Sequence, residues 1–556
     1  MATEAQILLV MIIYISLLVV WGIYQGRKVK SGTDYAIAGR NLPGWVAALS
    51  ERATGESSWA LLGLPGAAYA TGILEIWTAL GCVAGIITTW IVIAWRLRNE
   101  AEKYSVETFT DFIAKKHGES AKWIRIIGSF TIVFFFFFYV GAQFLGGGKT
   151  LNTMFHIHND PQTGMWIGML ITAAIIIPYT IYGGFTSVVW TDVIQAIVMI
   201  ATLIIGPIVG VIYLSNHPEL FAQDIPGALA RAGEEYNSLT GATGGFVAGI
   251  AIAGGFSWFF GYLGGQPQLS MRFMAIRDHQ QVKKARIIGV AWTLLAYIGA
   301  LALGWIGIAI FGPHGLTDPE LVMPSVLLTI FPPAIAALLI TGAIAAMIST
   351  ADSLLVLSAT EFNENLLPAI AEEQKRKKLR RSRIVTAILA IIALALAYVF
   401  PSNLIFTIVS YVWAGIGGTF SVVILLTLFW KRYHGKAVII TIITGLLFTI
   451  VWFNTGMEEH YLLDNETVAV IALEIGEEQI AKLNEIKDQR IVSQSKFREM
   501  VASFVGNKTR EQQEYVAFIV NSAKKKGITA RILTFFIALF VGIASSFVFK
   551  RKVTAD

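Results

Sequence analysis

The sequence predicts an all-α polytopic membrane protein, and three observations lead to that prediction. Hydrophobic residues make up 55% of the 556 residues, charged residues make up only 14%, and the mean hydropathy is +0.63. A soluble fold of this composition would have more apolar surface than its polar residues could cover. Apolar runs of about 20 residues recur along the chain, which is the length that an α-helix needs to cross a bilayer.

About thirteen of these runs are long enough to be transmembrane helices. An odd number of spans places the two ends of the chain on opposite sides of the membrane. The predicted spans lie near 5–25, 45–68, 72–95, 122–154, 164–183, 187–214, 243–265, 284–312, 328–358, 383–400, 402–430, 437–455 and 529–549.

Lys and Arg residues between the apolar runs predict the orientation of the chain. Connections rich in these residues alternate with acidic or short ones, and basic connections favour the cytoplasmic side of a membrane. We therefore expect a multi-pass protein of the plasma or inner membrane, with an external N-terminus and a cytoplasmic C-terminus. The basic connections contain Arg27, Lys28 and Lys30; Arg96 and Arg98; Lys283, Lys284 and Arg286; residues 375–383; and Lys431 and Arg432.

Composition and motifs exclude several other classes of protein. The net charge of +6 lies in these short connections, so it does not predict a nucleic-acid partner. The single cysteine, Cys82, excludes an intrachain disulfide framework and a thiolate metal cluster. The sequence has no HExxH motif, no nucleophile elbow and no His/Cys cluster with metal-ligand spacing, so we expect no enzymatic activity.

Residues 457–528 interrupt the apolar pattern with polar, charge-rich sequence. The predicted topology places them outside the membrane on the external face. Because residues 474–486 favour helix, we expect a small helical insert, which acts as a spacer or packing extension rather than a sensing domain. The run Lys524 to Lys526 is an exception to the rule that basic residues lie on the cytoplasmic side.

The segment 50–59, SERATGESSW, places three charged side chains inside a predicted span. A charge at bilayer depth costs at least about 2.5–3.5 kcal/mol, so such residues face a cavity or one another. Non-helical backbone at that depth is tolerated only where it lines protein or water. The segment is therefore predicted to be an interrupted helix at a binding site.

Four segments, in order along nearly the whole chain, resemble the sodium/solute symporter family and most closely its sodium/proline branch. Each motif alone is short, and their shared order makes the resemblance specific. The segments are DYAIAGRNL at 34–42 with LS at 49–50, Trp59 and GLPGA at 63–67; YGGF at 182–185 with WTDVIQ at 190–195; GY at 261–262 with GQP at 265–267 and RFMA at 272–275; and AAMISTADS at 345–353 with SYVWAG at 410–415.

The resemblance implies a leucine-transporter-like fold, in which two inverted repeats of five helices surround a site at the middle of the membrane. The first helix of each repeat is interrupted at that site, here near 53–57 and near 260–265. The implied organisation is an extra N-terminal span and loop (1–44), a first repeat (45–215), an external loop (216–242), a second repeat (243–430), an additional span (431–456), the polar insert (457–528) and a last span with its tail (529–556).

The resemblance also implies a sodium site between two helices. Ala346, Ser349 and Thr350 lie on one helical face, and the corresponding family positions supply one carbonyl and two hydroxyls. The interrupted helix would add the carbonyls of Ala53 and Glu56. Sodium is a hard cation that binds oxygen ligands. The alternative for the two hydroxyls is a hydrogen bond within their own helix.

Asp192 lies in the apolar run 188–204, where a carboxylate should not face lipid. In the family, an aspartate at this motif position lies beside the sodium pathway. The resemblance therefore implies that Asp192 binds sodium or lies on its release route, with a structural hydrogen-bonding role as the alternative.

A small organic solute is the second implied ligand. Aromatic side chains with a few polar groups are typical of small-molecule pockets, and Trp258 and Tyr262 lie four residues apart beside the second interruption. The residues implied to bind the solute are Ser57, Trp59, Tyr139, Trp258, Tyr262 and Gln266.

The sequence departs from the sodium/proline branch at charged positions. That branch has an aspartate at the position of Gly55, an apolar residue at that of Glu56, small residues at those of Glu51 and Arg52, and a hydroxyl at that of Asp352. One interpretation is a buried ion pair that holds the interrupted helix together. The other is that Arg52 binds a solute anion, or that Glu56 binds a solute amine or carries a proton.

The function that these observations favour is sodium-coupled symport of a small organic solute, such as proline or a related small polar solute, by alternating access across the bilayer. The alternative is a proton-coupled or sodium-independent transporter of the same fold that uses Glu56 or Asp352. The sequence predicts no oligomeric state and no nucleic-acid partner.

Overall fold

Helices account for nearly all the regular structure of the chain. The computed structural model describes residues 2–29, 32–368, 370, 374–399, 404–472, 477–506 and 510–549. The basic C-terminal tail, 550–556, and part of the helix-favouring stretch 474–486 lie outside these residues. The expected all-α class is confirmed, with one small sheet as the exception.

The helices of the first half of the chain begin at the N-terminus and continue into two very long elements. They are α1 (Ala2–Gly26), α2 (Gly32–Ile37), α3 (Gly44–Ser58), α4 (Leu64–Thr71), α5 (Ile76–Thr88), α6 (Ala94–Lys103), α7 (Phe109–Lys116), α8 (Ala121–Phe155), α9 (Pro161–Ser215), α10 (Ile225–Ala232), α11 (Gly245–Phe256), α12 (Trp258–Tyr262) and α13 (Pro267–Ala275).

The second half contains further long helices, the polar insert and the last helix. Its elements are α14 (His279–Phe311), α15 (Val322–Ile330), α16 (Pro333–Glu361), α17 (Lys375–Ala397), α18 (Ile405–Val412), α19 (Thr419–Phe429), α20 (Gly435–Asn454), β1 (Glu459–Tyr461), α21 (Asn465–Ile471), α22 (Glu477–Leu483), α23 (Gln494–Val505), α24 (Arg510–Ser522), β2 (Lys524–Lys526) and α25 (Ala530–Val548).

Among the described residues, 11 helical stretches are long and apolar enough to cross a membrane. One of them, Gly44–Lys103, has 60 residues, or about 90 Å of helix, and so contains more than one crossing of a hydrocarbon core about 30 Å thick. The predicted spans 45–68 and 72–95 both lie within it. Helix α17 overlaps the predicted span 383–400 and is not among the 11, because its first turns are rich in Lys and Arg. The number thirteen stays a prediction.

Helix α9 contains a sharp break at Gly184, between the predicted spans 164–183 and 187–214. Its φ of 59° and ψ of −168° are non-helical. A Cβ atom at this position would lie 2.4 Å from Cδ2 of Tyr35, so the site requires glycine for both backbone and space.

Both predicted interruptions near the centre of the molecule lie where the backbone leaves helical geometry. Helix α3 is non-helical at Ser57. Between α12 and α13 the chain passes through Leu263, with ψ of 49°, and Gly264, with φ of 79°. Pro267 then starts α13, a position where proline costs no helical hydrogen bond. Helix α3 packs against α9, α14 and α16, so its interruption is enclosed by protein.

The polar insert forms a small helical unit with its own apolar core. Helices α21–α24 pack around Tyr461, Phe497, Val501 and Ile519. Strands β1 and β2, near the two ends of the insert, pair antiparallel with each other. The sequence predicted the helices and did not predict the strands, because three-residue strands are too short to show an alternating pattern.

The lysine run that broke the charge rule is strand β2, and two of its side chains are paired. Lys524 Nζ lies 2.8 Å from Glu459 Oε2, and Lys525 Nζ lies 2.7 Å from Asp464 Oδ2. Lys524 and Lys525 therefore have structural partners within the insert.

Candidate functional site

Helix α3 ends its regular backbone at Ser57, where φ is 42° and ψ is −167°. Non-glycine residues rarely adopt positive φ, so surrounding contacts must hold this residue in place. The Ser57 hydroxyl accepts from the Tyr139 hydroxyl at 3.2 Å and from the Trp59 backbone N–H at 3.1 Å. The Ser58 N–H donates to Gln143 Oε1 at 3.1 Å. Side chains thus replace helical hydrogen bonds at the interruption.

Oxygen atoms of α3 and α16 meet beside this interruption. Ser349 Oγ donates to the Ala53 carbonyl at 2.8 Å and lies 3.2 Å from the Ala346 carbonyl. Thr350 Oγ1 donates to the Thr54 carbonyl at 2.9 Å. Both hydroxyls therefore bond across to the interrupted helix, and the contact of Ser349 within its own helix is the longer one. Carbonyl and hydroxyl oxygens are ligands that suit a hard cation such as sodium.

The carbonyl of Glu56 is the remaining backbone ligand predicted for sodium. It accepts from the backbone N–H of Trp59 at the end of α3. Among the described residues, no group of three or more His, Cys, Asp or Glu side chains is positioned to hold a metal ion. The oxygens of α3 and α16 form the candidate cation site because carbonyls and hydroxyls of both helices meet there, and their binding of sodium stays a prediction.

Asp192 lies in an adjacent polar cluster with Arg272 of α13. Arg272 Nη2 is 3.1 Å from Asp192 Oδ2, and both side chains are fully buried. Ser50 Oγ donates to the same carboxylate oxygen at 2.6 Å, and the Thr54 hydroxyl lies 3.3 Å from it. This ion pair favours the structural alternative for Asp192, and a role in sodium binding or release stays a prediction.

Asp352 and Ser353 bring α16 into the same cluster. Arg272 Nη2 donates to Ser353 Oγ at 2.5 Å, and Ser353 Oγ lies 3.4 Å from Asp352 Oδ1. Ser353 Oγ is also 3.0 Å from Thr54 Oγ1. Arg272 consequently joins side chains of α3, α9 and α16.

The charged residues of the interrupted helix form a buried triad. Arg52 Nε donates to Glu51 Oε2 at 2.5 Å, and Arg52 Nη2 pairs with Glu51 Oε1. Arg52 Nη1 lies 2.8 Å from Glu56 Oε1 and 3.2 Å from the Thr293 hydroxyl. Arg52 and Glu56 are completely buried, and Glu51 is almost so. The guanidinium fork is thus occupied by protein groups, and two carboxylates oppose one cation.

Five aromatic side chains form a cluster beside the two interruptions. Trp59 and Trp258 are stacked, with ring centroids 4.3 Å apart and planes inclined by 13°. Trp413 contacts Trp258, Tyr262 and Tyr139 with centroids 5.8, 5.2 and 5.6 Å away. The predicted solute residues Trp59, Tyr139, Trp258 and Tyr262 therefore lie together, as stacked and edge-to-face pairs.

Gln266 lies at the start of α13, next to a small enclosed space. Its Oε1 accepts from Gln268 Nε2 at 3.1 Å. A cavity of about 10 Å³ lies between Glu51, Tyr262 and Gln266, which is room for about one water molecule. Since the predicted site side chains are all buried, a solute can enter or leave only through a conformational change.

Several buried polar atoms around the aromatic cluster have no hydrogen-bond partner in the described part of the chain. Leaving such a group unpaired costs about 1–3 kcal/mol. The donors are Nε1 of Trp59, Trp258 and Trp413 and Nε2 of Gln266, and the acceptor is Oε2 of Glu56. The arrangement suits a ligand that carries both hydrogen-bond acceptors and donors.

The model of the sodium:solute symporter family matches residues 35–445. The chain belongs to the sodium:solute symporter family. Membership makes it a multi-pass membrane protein that couples transport of a small solute to sodium, and the family and coupling ion expected from the sequence are confirmed.

Two relatives align with this family member over most of both chains. The chain is 34% identical over 443 residues to the high-affinity proline transporter PutP of Bacillus subtilis, covering 79% of this chain and 90% of that protein. It is 32% identical over 465 residues to the sodium/proline symporter of Escherichia coli, covering 82% of this chain and 89% of that protein.

A solved structure supports the fold of this family member. A sodium-coupled sialic acid symporter in a substrate-bound outward-open state superposes with a TM-score of 0.64 at 18% identity, covering 81% of this chain and 92% of that one. The leucine-transporter-like fold expected from the sequence is confirmed. The boundaries of the two repeats stay predictions.

Sequence reasoning assigned no role to several residues that the structure places at the site. Arg272 and Trp413 lie in motifs that carried the resemblance, so their position was visible and their contacts were not. The ring centroid of Phe406 lies 5.5 Å from that of Trp258. The hydroxyls of Tyr297 and Tyr262 are hydrogen-bonded to each other, with 3.1 Å between their oxygens. Phe406 and Tyr297 come from apolar runs, where no sequence signal distinguishes them from other aromatic residues.

Proposed function

We propose that this symporter imports a small zwitterionic solute such as proline, driven by the inward flow of sodium. The observation that carries the solute class is the set of unpartnered polar atoms at the aromatic cluster. A solute carboxylate would accept from the indole and amide N–H groups, and a protonated amine would donate to Glu56 Oε2. The named relatives are proline transporters, and proline has both groups.

The aromatic cluster supports the same solute class through its shape. Because the stacked faces of Trp59 and Trp258 cover each other, the edges of this pair and the ring of Trp413 are the apolar surface that a small carbon ring would contact. A carboxylate, an amine and a compact apolar body would together use all three kinds of surface.

Sodium would couple to the solute through the interrupted helix. In this proposal Ala53, Ala346, Ser349 and Thr350 bind sodium together with the Glu56 carbonyl, while Asp192 lies on the release route. Sodium between α3 and α16 would order the interruption that also carries Ser57 and Trp59, and so raise solute affinity. By linkage, the solute raises sodium affinity by the same factor.

We assign the triad of Glu51, Arg52 and Glu56 to structure, with Glu56 Oε2 left to the solute. The Nε, Nη1 and Nη2 atoms of Arg52 all bond to Glu51 or Glu56, so a solute anion would have to compete with two buried carboxylates for this guanidinium. One excess negative charge near Glu56 favours a cationic amine over an anionic group at that end of the solute.

Transport in proteoliposomes tests the proposal. Purified protein is reconstituted, and uptake of radiolabelled proline, other amino acids, a sugar and a carboxylate is measured with a sodium gradient. We expect sodium-dependent uptake of an amino acid with a free carboxylate and amine, and competition only by compounds that keep both groups. Uptake of a neutral sugar in preference to every amino acid would contradict the solute class.

A proton-coupled or sodium-independent transporter of the same fold is the second candidate, because Glu56 and Asp352 are buried carboxylates at the site. Replacing sodium by choline at fixed pH separates the two. Undiminished uptake in choline, or uptake driven by a pH gradient alone, would support the second candidate. In both, the chain is a transporter and not an enzyme.

We further propose an external N-terminus and a cytoplasmic C-terminus, from the alternation of basic connections. Protease digestion of right-side-out vesicles would then cut the insert, residues 457–528, and leave a C-terminal tag intact. Cleavage of the tag in sealed vesicles would contradict this orientation and place the C-terminus outside.

A further inference from the structure

The last helix, α25, brings an arginine to the aromatic cluster. The family match ends at residue 445, so α25 lies outside it, as does the insert before it. Arg531 is in the first turn of α25 and is 6% exposed. A buried guanidinium needs partners for its donors, and those partners identify what Arg531 holds together.

Arg531 bonds to two elements that border the solute site. Its Nε donates to Ser257 Oγ at 2.8 Å, and its Nη2 donates to the Gly254 carbonyl at 3.0 Å. Its Nη1 donates to the hydroxyl of Ser410 on α18. The end of α11, just before Trp258, and the last turn of α18 are therefore joined through one side chain.

The same guanidinium lies over the ring of Trp258. The Cζ atom of Arg531 is 4.6 Å from the ring centroid, within the range of a cation–π contact. The ring of Trp258 is in turn stacked on Trp59 at 4.3 Å. One contact thus links the last helix to the stacked pair beside the interruption of α3.

Glu458, the second residue of the insert, fixes the start of α25. Its carboxylate accepts from the Ala530 N–H at 2.8 Å and from the hydroxyls of Thr529 and Ser410, each at 3.2 Å. Glu458 Oε1 is also 3.9 Å from Arg531 Nη1. Glu458 therefore fixes the position of the first turn of α25, which carries Arg531.

We propose that Arg531 is a positioning residue of the solute site, which holds the Trp258 indole against Trp59 while joining α11 to α18. The inference rests on the proposed function, because it takes Trp258 to be a solute contact. Arginine suits the role since its planar fork bonds Ser257, Gly254 and Ser410 while its face remains on the ring. A lysine would keep the charge near Trp258 and lose the fork.

Transport kinetics of Arg531→Gln and Arg531→Lys test the inference. We expect Arg531→Gln to raise the solute KM by about threefold to thirtyfold, the range that a buried cation–π contact implies. The maximal rate and the sodium concentration for half-maximal uptake at saturating solute should change by less than about twofold, because the cation site is untouched. Arg531→Lys should give an intermediate KM.

Arg432→Gln is the matched control. Arg432 also lies over an aromatic ring, with Cζ 4.1 Å from the centroid of Phe547, but it is exposed, and Phe547 lies at the opposite end of α25 from Arg531. Its removal should leave the solute KM unchanged. A purely structural role for Arg531 would lower the maximal rate and the amount of folded protein without raising KM.

The outcomes separate this inference from the proposed function. An unchanged solute KM in Arg531→Gln, with wild-type sodium-dependent uptake, overturns the inference alone. Absence of sodium-dependent uptake in the wild-type protein overturns the proposed function and the inference with it. If Arg531→Gln does not accumulate as folded protein, the solute KM is measured in Arg531→Lys and Ser410→Ala instead. A raised KM supports the inference, and an unchanged KM in both variants overturns it.

Discussion

Thr54 connects the candidate sodium site to the Asp192 cluster. Its carbonyl accepts from Thr350, while its hydroxyl lies 3.0 Å from both Arg272 Nη2 and Ser353 Oγ. Any movement of α3 that brings its carbonyls to a cation would therefore also shift the partners of Arg272. If sodium binds at the proposed site, this shared residue gives a physical route by which it would affect α9 and α13, which contribute Asp192 and Arg272.

Removal of the two hydroxyls of α16 tests the sodium site. We expect Ser349→Ala and Thr350→Val each to raise the sodium concentration for half-maximal uptake by about tenfold to a hundredfold, since each loses an oxygen ligand of a charged group. The measurement is uptake against sodium concentration at saturating solute.

Thr360→Val is the control on the same helix, because Thr360 donates to the Val356 carbonyl of its own helix at 2.8 Å. It should leave the sodium dependence unchanged. Wild-type sodium affinity in both Ser349→Ala and Thr350→Val would place the cation elsewhere.

Breaking the triad tests its structural role. Arg52→Met leaves Glu51 and Glu56 as unpaired buried carboxylates, so we expect it to lower the free energy of unfolding by about 3–5 kcal/mol. Thermal and denaturant unfolding in detergent measure the effect. Arg125→Met is the matched control, since Arg125 pairs with Asp111 at 2.7 Å but is 32% exposed, and it should cost no more than about 1 kcal/mol. If Arg52→Met were as stable as wild type, the structural role of the triad would be wrong, and a direct role of Arg52 in solute binding would be favoured.

Helices α3 and α9 are broken by different means. Helix α3 is broken at Ser57, whose positive φ is held by hydrogen bonds from Tyr139 and Trp59. Helix α9 is broken at Gly184, where the residue type itself permits the backbone. The first break depends on neighbouring side chains and lies at the proposed ligand sites. The second depends only on glycine and shapes the helix bundle.

Gly184→Ala tests the second break. Alanine would be strained at a φ of 59°, and its Cβ would lie 2.4 Å from Tyr35. We expect the substitution to lower the free energy of unfolding by more than about 1 kcal/mol. The control is Gly249→Ala in α11, where a Cβ would meet nothing within 4 Å, and which should be neutral or stabilising because alanine favours helix. Equal stability of the two variants would show that the α9 break tolerates a side chain.

The elements that the sequence predicted well are those with a strong local signal. Charges and glycine in an apolar run predicted the interruption of α3, and the break lies at Ser57, the last residue of the predicted segment 53–57. The pairing of Arg272 with Asp192 and the stacking of Trp258 on Trp59 were not predictable, because these partners are 80 residues and about 200 residues apart in the chain. The role of Arg531 was not predictable either, because an arginine next to an apolar span is also typical of an ordinary helix end.

At the scale of the whole molecule, a late insert and a final helix lie beyond the region that the family model matches. The family match covers residues 35–445, while α21–α25 lie beyond it. The insert has its own apolar core, and its two ends meet in the β1–β2 pair. Because its ends are adjacent, the insert can be accommodated between α20 and α25 without displacing either helix.

Acid should loosen this insert before it affects the helical core. Hydrogen bonds from Lys525 and Thr467 lower the pKa of Asp464 below its ordinary value. A depressed pKa means that Asp464 stabilises the folded insert above the unfolded pKa, about 4, and that this stabilisation is lost as the pH falls below it. Limited proteolysis from pH 7 to pH 3 should therefore show cleavage within residues 457–528 appearing below about pH 4.

Asp464→Asn removes the titrating group and keeps a side chain of the same size. We expect this variant to be cleaved more readily than wild type at pH 7, since the Lys525 pair at 2.7 Å is gone, and to show a smaller increase on acidification. The surface residue Asp224, which caps α10 outside the insert, provides the control: Asp224→Asn should leave cleavage of the insert as in wild type. An insert that resists protease equally at pH 7 and pH 3 in the wild-type protein would mean that its apolar core, rather than the Asp464–Lys525 pair, determines its stability.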